Sequence, residues 1–384
     1  MTDRMKPLTD LADDIPAAVG RRDFLGLMAA GLVAAGYPGR SFAAGKTPSA
    51  PVQDPTRSLL DQNENQLGPG PAARQAIEDA IDLANRYPDG EGRLLTRLAA
   101  YHEVDEDCLL PGCGSTEHLK ICADAATGPH RELVQGSPTY PTLARYARVN
   151  SARVLEVPCD DAGCLDLAGM EAVMGGRTGC VYLCNPNNPT GGVLPDRDLR
   201  AFIELIPDSA LVVVDEAYHD YVDDPAYRTL IPLALARPNT VVLRTFSKAF
   251  GLAGMRLGYA LARPDTIERL RPFRLSIDLN TPAILAGLAA LDDRAFLAES
   301  IRVNAASRAR LMSEMPRFGT RPVPSQAGFV WCDFGRPTAG LRRALYERGV
   351  QIRTYSHSPN YLRISTGTEA DMDRLFAALN EVIG

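Results

Sequence analysis

Lysine is scarce in this sequence. Although 41 residues are lysine or arginine, lysine occupies only positions 6, 46, 120 and 248. An arginine guanidinium supplies positive charge but cannot form a Schiff base with a carbonyl compound, whereas a lysine amine can. Each lysine is therefore a candidate for amine chemistry, to be judged by its surroundings in the sequence.

The chain also lacks a basic excess and a metal-binding motif. Its formal net charge of -6 gives no broad positive field, so nucleic acid is a poor partner. The eight cysteines include no pair with CxxC spacing, and the five histidines do not cluster with them, so no metal site is predicted. Most of these cysteines are expected to be buried thiols, and the spacing leaves disulfides open.

The N-terminal segment has the order of features typical of a twin-arginine export signal. Arg21 and Arg22 precede an apolar stretch at 26–36, and small residues at 41–44 are of the type that signal peptidases cut after. The stretch is too short and too glycine-rich to favour stable membrane insertion. We therefore predict a signal peptide over 1–44 and a periplasmic or exported protein. If the signal is not used, the segment is an ordinary amphipathic helix and the protein is cytoplasmic.

The rest of the chain is predicted to form an α/β structure in two domains. Residues 45–54, rich in Pro, Ala and Thr, are predicted to be a linker. Short apolar runs then alternate with helical stretches, which is typical of a largely parallel sheet. The strand candidates are 133–135, 154–158, 180–184, 211–214 and 241–243, and the helix candidates are 71–85, 116–126 and 198–206.

The pattern changes after about residue 271. Long Ala/Leu/Arg helices, a strand near 329–333 and a last helix near 369–382 indicate a second, smaller domain. The predicted organisation is an N-terminal segment of the small domain, a large domain and a small C-terminal domain. Their bounds are 55–75, 76–270 and 271–384.

Polar clusters follow three of the predicted strands. Asn185 to Gly191 follows the strand at 180–184, Asp215 to Tyr218 follows the next, and Arg244 to Lys248 follows the third. In open α/β sheets, ligands bind beyond the carboxyl ends of the strands. One pocket is therefore expected to collect all three clusters.

Lys248 has the sequence context of a Schiff-base lysine. It stands directly after an apolar strand, between hydroxyl residues and a glycine-rich loop, which favours catalysis over a solvated surface lysine. If the cofactor has a pyridine ring, a carboxylate such as Asp215 would keep the ring nitrogen protonated, although a lone acidic strand cap would look the same. Asn188 and Tyr218 are candidate donors to a ring oxygen.

A phosphate group needs amide and hydroxyl donors together with a cation. Ser115 and Thr116 begin a predicted helix after a glycine-rich turn, a place that attracts anions. Thr245, Ser247 and Arg256 flank Lys248 and complete a candidate phosphate site.

Three further residues are candidates for contact with the cofactor or the substrate. Tyr140 has a flat apolar face that suits stacking on a cofactor ring, and core packing is almost equally compatible with it. Arg363 has the fork geometry that binds a substrate carboxylate or phosphate, and Asn188 is also a candidate for substrate binding. Arg353 is a possible second clamp, with a surface ion pair as the alternative.

These motifs resemble the fold-type I pyridoxal-phosphate (PLP) enzymes, specifically the class I/II aminotransferases and their histidinol-phosphate aminotransferase branch. The resemblance extends from about residue 60 to the C-terminus, and its most specific parts are 187–191, 215–218, 247–256 and 362–364. It implies PLP as the cofactor and the fold-type I architecture. That architecture is an αβα large domain with a mostly parallel sheet, plus a smaller α+β domain built from N- and C-terminal segments.

The resemblance also implies residue roles. Asp215 would pair with the pyridinium nitrogen, Asn188 and Tyr218 would hold the ring hydroxyl, and Arg256 with Thr245 or Ser247 would bind the phosphate. Family members are homodimers, and Tyr87 resembles the tyrosine that reaches the cofactor phosphate of the partner subunit. One position departs from the branch: Leu67 stands where a tyrosine usually helps to contain the substrate side chain, and it cannot donate a hydrogen bond.

The predicted reaction is transfer of an amino group to a 2-oxo acid such as 2-oxoglutarate. The donor is an amino acid or related amine, histidinol-phosphate-like or aromatic. A decarboxylase of the threonine-phosphate type is an alternative, because the bond that breaks depends on its orientation to the cofactor plane, which motifs do not report. A non-enzymatic PLP-binding sensor is a third hypothesis, disfavoured because no basic helical module is apparent.

Overall fold

The computed structural model describes residues 56–384, so the predicted signal peptide (1–44) and linker (45–54) lie outside the described part. The helices are α1 (Pro71–Asp79), α2 (Glu91–His102), α3 (Ser115–Ala126), α4 (Thr142–Val149), α5 (Leu167–Val173), α6 (Asp196–Glu204), α7 (Ile231–Ala236), α8 (Pro264–Leu270), α9 (Thr281–Asp292), α10 (Arg294–Glu314), α11 (Ala339–Glu347) and α12 (Glu369–Ile383). The strands are β1 (Ser58–Leu60), β2 (Leu109–Gly112), β3 (Glu132–Ser137), β4 (Val154–Pro158), β5 (Thr178–Cys184), β6 (Leu211–Asp215), β7 (Thr240–Thr245), β8 (Gly258–Ala262), β9 (Arg321–Pro322), β10 (Phe329–Asp333), β11 (Val350–Tyr355) and β12 (Ser358–Ser365).

The larger sheet confirms the α/β fold that the sequence predicts. Its strand order is β2-β8-β7-β6-β5-β3-β4. Every neighbouring pair from β7 to β4 is parallel, whereas β8 runs antiparallel to both β7 and β2. The central strands β5, β6 and β7 are mostly apolar and buried throughout, because helices cover both faces of the sheet. Their carboxyl ends meet at one edge.

Two strands of this sheet were not among the predicted ones. β2 contains Pro111 and Gly112, and β8 reads Gly-Tyr-Ala-Leu-Ala, so neither has the β-branched composition of a typical strand. A proline is tolerated in β2 because β2 is an edge strand. Pairing with neighbouring strands, rather than local strand propensity, holds β2 and β8 in the sheet.

The predicted helix over 71–85 was too long. α1 ends at Asp79, and a short 3-10 turn follows at Ile81–Leu83. Ile81 and Leu83 are exposed, so no packing against the core stabilises further helical turns there.

The smaller sheet is built from both ends of the described chain. Its order is β1-β11-β12-β10-β9, with β1 parallel to β11 and the other pairs antiparallel. α12 covers it, and Leu60 of β1 shares a hydrophobic cluster with Leu362 of β12 and Leu375 of α12. The N-terminal strand thereby joins the C-terminal domain.

Two helices from outside the predicted large domain pack against its core. α1 begins before residue 76 and α9 follows residue 271, yet both contribute to the cluster under the larger sheet through Ala73 and Ile284. Residues 56–384 fall within one compact unit. The bounds at 75/76 and 270/271 therefore stay predictions.

Three further observations concern disulfides, membrane-spanning helices and metal sites. All eight cysteines lie in the described part of the chain, and none of them forms a disulfide there. No helix between residues 56 and 384 has the length and apolar character that a membrane crossing requires. Within the same range, no group of His, Cys, Asp and Glu side chains is arranged to hold a metal ion.

Candidate active site

A cavity of about 360 Å³ lies where the carboxyl ends of β5, β6 and β7 face the smaller sheet. The structure brings together in its wall almost every residue predicted for the site. These residues are Ser115, Thr116, Tyr140, Asn188, Asp215, Tyr218, Thr245, Ser247, Lys248, Arg256, Arg353 and Arg363. The three polar clusters that follow the predicted strands therefore form one pocket.

Two residues singled out in the sequence lie elsewhere. Tyr87 is 83% exposed and does not line the cavity of its own chain. Leu67 lines a separate cavity beside α10 and α12. Neither residue completes the pocket from within this chain.

Asp215 ends β6 and is buried. Its carboxylate accepts hydrogen bonds from the Tyr182 hydroxyl at 2.9 Å and from the Ala217 backbone N–H at 3.1 Å. Burial raises the pKa of Asp215 to about 6, against the lowering effect of these two donors. A cationic ring nitrogen placed here would favour the ionised carboxylate.

Lys248 extends into the cavity from the loop that follows β7. Its Nζ donates to the backbone carbonyl oxygens of Asn63 at 3.1 Å and Gln62 at 3.3 Å. Burial, followed by the charge of Arg363, lowers the pKa of Lys248 to about 8. More of the amine is therefore neutral, and hence nucleophilic, at neutral pH than for an ordinary lysine.

The lysine loop packs closely against the N-terminal loop, and at one point the two backbones touch. Gly251 has a φ of +70°, and a Cβ at this position would overlap the carbonyl oxygen of Gly68. Asn65 Nδ2 also donates to the Ala249 carbonyl oxygen at 3.1 Å. Glycine at 251 is thus required for both conformation and space.

A group of hydroxyls and one guanidinium lies at the start of α3. Gly114, with a φ of +77°, precedes the helix, and a Cβ there would come within 2.5 Å of Arg256 Nη2. Arg256 Nη1 lies 3.4 Å from Ser247 Oγ, which is 3.0 Å from Thr245 Oγ1. Helix N–H groups, hydroxyls and a guanidinium together suit a phosphate.

Arg363 reaches the pocket from β12 of the smaller sheet. Its Nη1 donates to Asn188 Oδ1 and its Nη2 to the Asp61 carbonyl oxygen, both at 2.6 Å. The side chain is buried, and its Nε has no hydrogen-bond partner within residues 56–384. Tyr355 lies 5.8 Å from the Arg363 guanidinium and 5.9 Å from that of Arg353, between the two.

Sequence reasoning missed several residues that shape the pocket. Tyr182 contacts Asp215, and Asp61, Gln62 and Asn63 contact the site from a loop far away in sequence. A buried ion pair also went unpredicted: Arg244 Nη2 lies 2.7 Å from Glu216 Oε2 and ties the ends of β7 and β6 together. Only their position beside Asp215 and Thr245 could have drawn attention to this pair.

The sequence pattern of the family described as aminotransferase class I and II matches residues 58–379. The chain belongs to this family. It is 37% identical over 348 residues to the histidinol-phosphate aminotransferase of Moorella thermoacetica, an alignment covering 88% of this chain and 90% of the relative. It is 36% identical over 327 residues to that of Bacillus subtilis strain 168, covering 84% and 91%.

Solved structures agree with this assignment. The histidinol-phosphate aminotransferase of Sinorhizobium meliloti, in complex with pyridoxal-5'-phosphate, superposes with a TM-score of 0.79 at 32% identity, covering 85% of this chain and 90% of that one. The L-threonine-O-3-phosphate decarboxylase of Porphyromonas gingivalis shares the fold, with a TM-score of 0.73 at 23% identity, covering 84% and 98%. This aminotransferase therefore has the fold-type I architecture, and PLP is its cofactor.

The pocket fits that cofactor on its own chemistry. Asp215, a carboxylate whose pKa is raised by burial, lies at one end, and the phosphate-suited group around Arg256 and Ser115 lines the other. Lys248 is the amine in the wall between them. The chain transfers an amino group between an amino donor and a 2-oxo acid.

We expect the Lys248 amine of the cofactor-free protein to react with a small aldehyde with a pH midpoint near 8, because only the neutral amine is a nucleophile. Arg363→Gln removes a positive charge that favours the neutral form, so the midpoint should rise by roughly half a pH unit. Borohydride reduction and peptide mapping across a pH series would measure both values.

Arg353→Gln is the matched control, since it removes a charge from the same wall. Arg363 is the charged group with the largest effect on the Lys248 pKa, so the control should shift the midpoint less. An equal shift in both variants, or a wild-type midpoint in the usual lysine range, would contradict this account.

Proposed function

We propose that this aminotransferase takes its amino group from a small amine that carries an anionic group, with histidinol phosphate as the leading candidate and 2-oxoglutarate as the acceptor. The observation that carries the proposal is the pair Arg363 and Arg353, cross-strand partners on β12 and β11. Both line the cavity that contains Lys248. Two guanidinium groups suit a phosphate or a carboxylate better than a neutral side chain.

Each residue of the pocket has a separate proposed role towards the cofactor. PLP supplies an aldehyde and a ring that withdraws electrons from the substrate. Lys248 would hold the cofactor covalently and, once the substrate frees its amine, would take a proton from the substrate. Asp215 would keep the ring nitrogen protonated, Asn188 and Tyr218 would bind the ring oxygen, and Tyr140 would stack on the ring face.

The opposite end of the cofactor is bound by residues of α3 and of the lysine loop. Ser115 and Thr116 offer hydroxyl and backbone donors, and Thr245 and Ser247 add two hydroxyls. Arg256 neutralises the phosphate charge. This assignment is supported by the contacts among Arg256, Ser247 and Thr245.

The relatives and the residue at position 67 indicate which side chain the amino donor carries. The relatives named above are histidinol-phosphate aminotransferases, which supports a donor of that kind. Leu67 offers no hydrogen-bond donor where their branch has a tyrosine. A related phosphate-bearing or aromatic amine is therefore the next candidate.

The active unit is proposed to be a homodimer. Six of the exposed large apolar side chains lie in two segments: Ile81, Leu83 and Tyr87 in the first, and Phe273, Leu275 and Ile277 in the second. Arg274 of the second segment is bonded to Glu91, at the start of α2, at 2.6 Å. A second copy of the chain, related by two-fold symmetry, would cover this apolar surface and deliver Tyr87 to the neighbouring pocket.

The protein is further proposed to be exported folded, with PLP already bound, through the twin-arginine route. The order of Arg21-Arg22, apolar stretch and small residues supports this location. Folded export also lets the cofactor be loaded before the membrane is crossed.

With PLP and histidinol phosphate, the purified full chain should convert 2-oxoglutarate to glutamate without release of carbon dioxide. Arg363→Lys loses the bidentate fork and should lower kcat/KM by roughly 10- to 100-fold. This factor corresponds to the free energy of about one to two charge-assisted hydrogen bonds. Coupled glutamate detection and a carbon dioxide assay would measure the two products.

Lys248→Ala is the negative control and should make no glutamate. Carbon dioxide released from O-phosphothreonine, with no glutamate from any donor tested, would replace the proposal with the decarboxylase alternative. Full biological activity of Lys248→Ala would point to the sensor instead.

Subunit complementation tests the role of Tyr87. Lys248→Ala and Tyr87→Phe subunits should each form dimers of low activity, because every pocket lacks one group. A hybrid dimer, purified through two different tags, contains one pocket with both groups and should recover about half of the wild-type activity. A hybrid no more active than the mean of its parents would place Tyr87 outside the partner's site.

Replacement of Arg21 and Arg22 by lysines should keep the protein in the cytoplasm. Cell fractionation of the natural host, with N-terminal sequencing of the mature chain, would measure this. The wild-type chain should be found outside the cytoplasm and shortened near residue 44. An identical distribution of both proteins would refute export by this route.

A further inference from the structure

Asn63 connects three elements of the pocket, a role that the sequence analysis did not assign to it. Its carbonyl oxygen accepts from Lys248 Nζ at 3.1 Å, and its Nδ2 donates to the Tyr218 hydroxyl at 2.9 Å. Its backbone N–H and its Oδ1 both contact Ser365 Oγ, at 2.9 and 3.0 Å. Ser365 ends β12, the strand that carries Arg363.

The backbone at Asn63 makes these contacts possible. Its φ is +55°, in the left-handed region that asparagine and glycine tolerate best. Only 4% of the residue is exposed. In this bend the carbonyl reaches the lysine while the side chain reaches the phenol.

In the structure the Asn63 amide turns its oxygen towards Ser365 and its nitrogen towards Tyr218. Ser365 Oγ accepts the Asn63 backbone N–H, so its own proton is free to go to an acceptor. The acceptor is Asn63 Oδ1, which places Nδ2, with two N–H donors and no acceptor, towards Tyr218. In this arrangement the serine proton holds the amide oxygen, and so the serine favours this orientation of the amide.

The amide in turn sets the direction of the Tyr218 proton. Because Nδ2 only donates, Tyr218 Oη must accept from it, and the phenolic proton must go to a different partner. Tyr218 is packed edge-on against Phe329, with ring centroids 5.1 Å apart, and it lines the cavity. The proton is thus available to a group inside the pocket.

We propose that Asn63 is a positioning residue that acts through Tyr218: Ser365 orients its amide, and the amide makes the Tyr218 hydroxyl a donor towards the cofactor ring oxygen. This inference rests on the proposed role of Tyr218. Hydrogen bonds in such a chain strengthen one another, so the amide also makes the phenol a better donor.

The effect is measurable in the pH dependence of the bound cofactor's absorbance. A donor to the ring oxygen stabilises negative charge on that oxygen and so favours the deprotonated form of the bound cofactor. Weakening the donor should therefore move the spectral transition to higher pH. This readout needs neither an amino donor nor turnover.

Asn63→Gly is the variant of choice, because glycine keeps the left-handed backbone and the carbonyl that accepts from Lys248. With PLP bound to the full chain, the spectral midpoint should rise by roughly half a pH unit or more. Ser365→Ala leaves the asparagine in place but frees its amide, and a smaller shift in the same direction is expected. Gln66→Ala is the matched control, since Gln66 lies on the same loop but its side chain bonds the Leu59 carbonyl instead; no shift is expected.

A Tyr218→Phe background separates positioning from a general structural effect. Tyr218→Phe alone should raise the midpoint, and Asn63→Gly should add nothing to it, because the asparagine has lost the group it acts on. An equal Asn63→Gly shift in both backgrounds, or no shift in Asn63→Gly and Ser365→Ala, would overturn the inference. If Tyr218→Phe itself leaves the midpoint unchanged, the role proposed for Tyr218 fails instead.

Discussion

At the bottom of the cavity, Asp215 and Lys248 occupy surroundings that disfavour charge on either of them. Burial raises the pKa of Asp215 to about 6 and lowers the pKa of Lys248 to about 8, so each moves towards its neutral form near pH 7. Desolvation that nearby opposite charges offset only in part has this effect. A cationic ring nitrogen beside Asp215 and a phosphate beside Arg256 would each gain a counter-charge, so binding of such a ligand should stabilise the folded chain.

Because burial disfavours unpaired charge, the charged residues around the cavity have hydrogen-bond or ion-pair partners. Asp215 has the Tyr182 hydroxyl, Arg363 has Asn188 and the Asp61 carbonyl, and the neighbouring Glu216 is paired with Arg244. Each buried charge next to the cavity needs such partners, since an unpaired one would destabilise the fold. The arrangement that keeps the site folded also keeps its reactive groups in place.

The sequence was sufficient to predict those parts of the fold and site that depend on local signals. Apolar runs such as 211–214 predicted parallel strands, and the polar residues after them met in one pocket as expected. β2 and β8 were missed because proline, glycine and alanine conceal a strand that only long-range pairing forms. Asn63 was missed because its partner Ser365 lies 302 residues away, a separation across which no periodicity or spacing applies.

The contact between Gly251 and Gly68 limits how the pocket can move. At this contact the two loops meet backbone to backbone, so no change of rotamer at Gly251 or Gly68 could let one loop slide past the other. The lysine loop and the N-terminal loop should accordingly travel as a single unit. An entrance for substrate is then expected on the opposite wall, where exposed Arg353 on β11 borders the solvent.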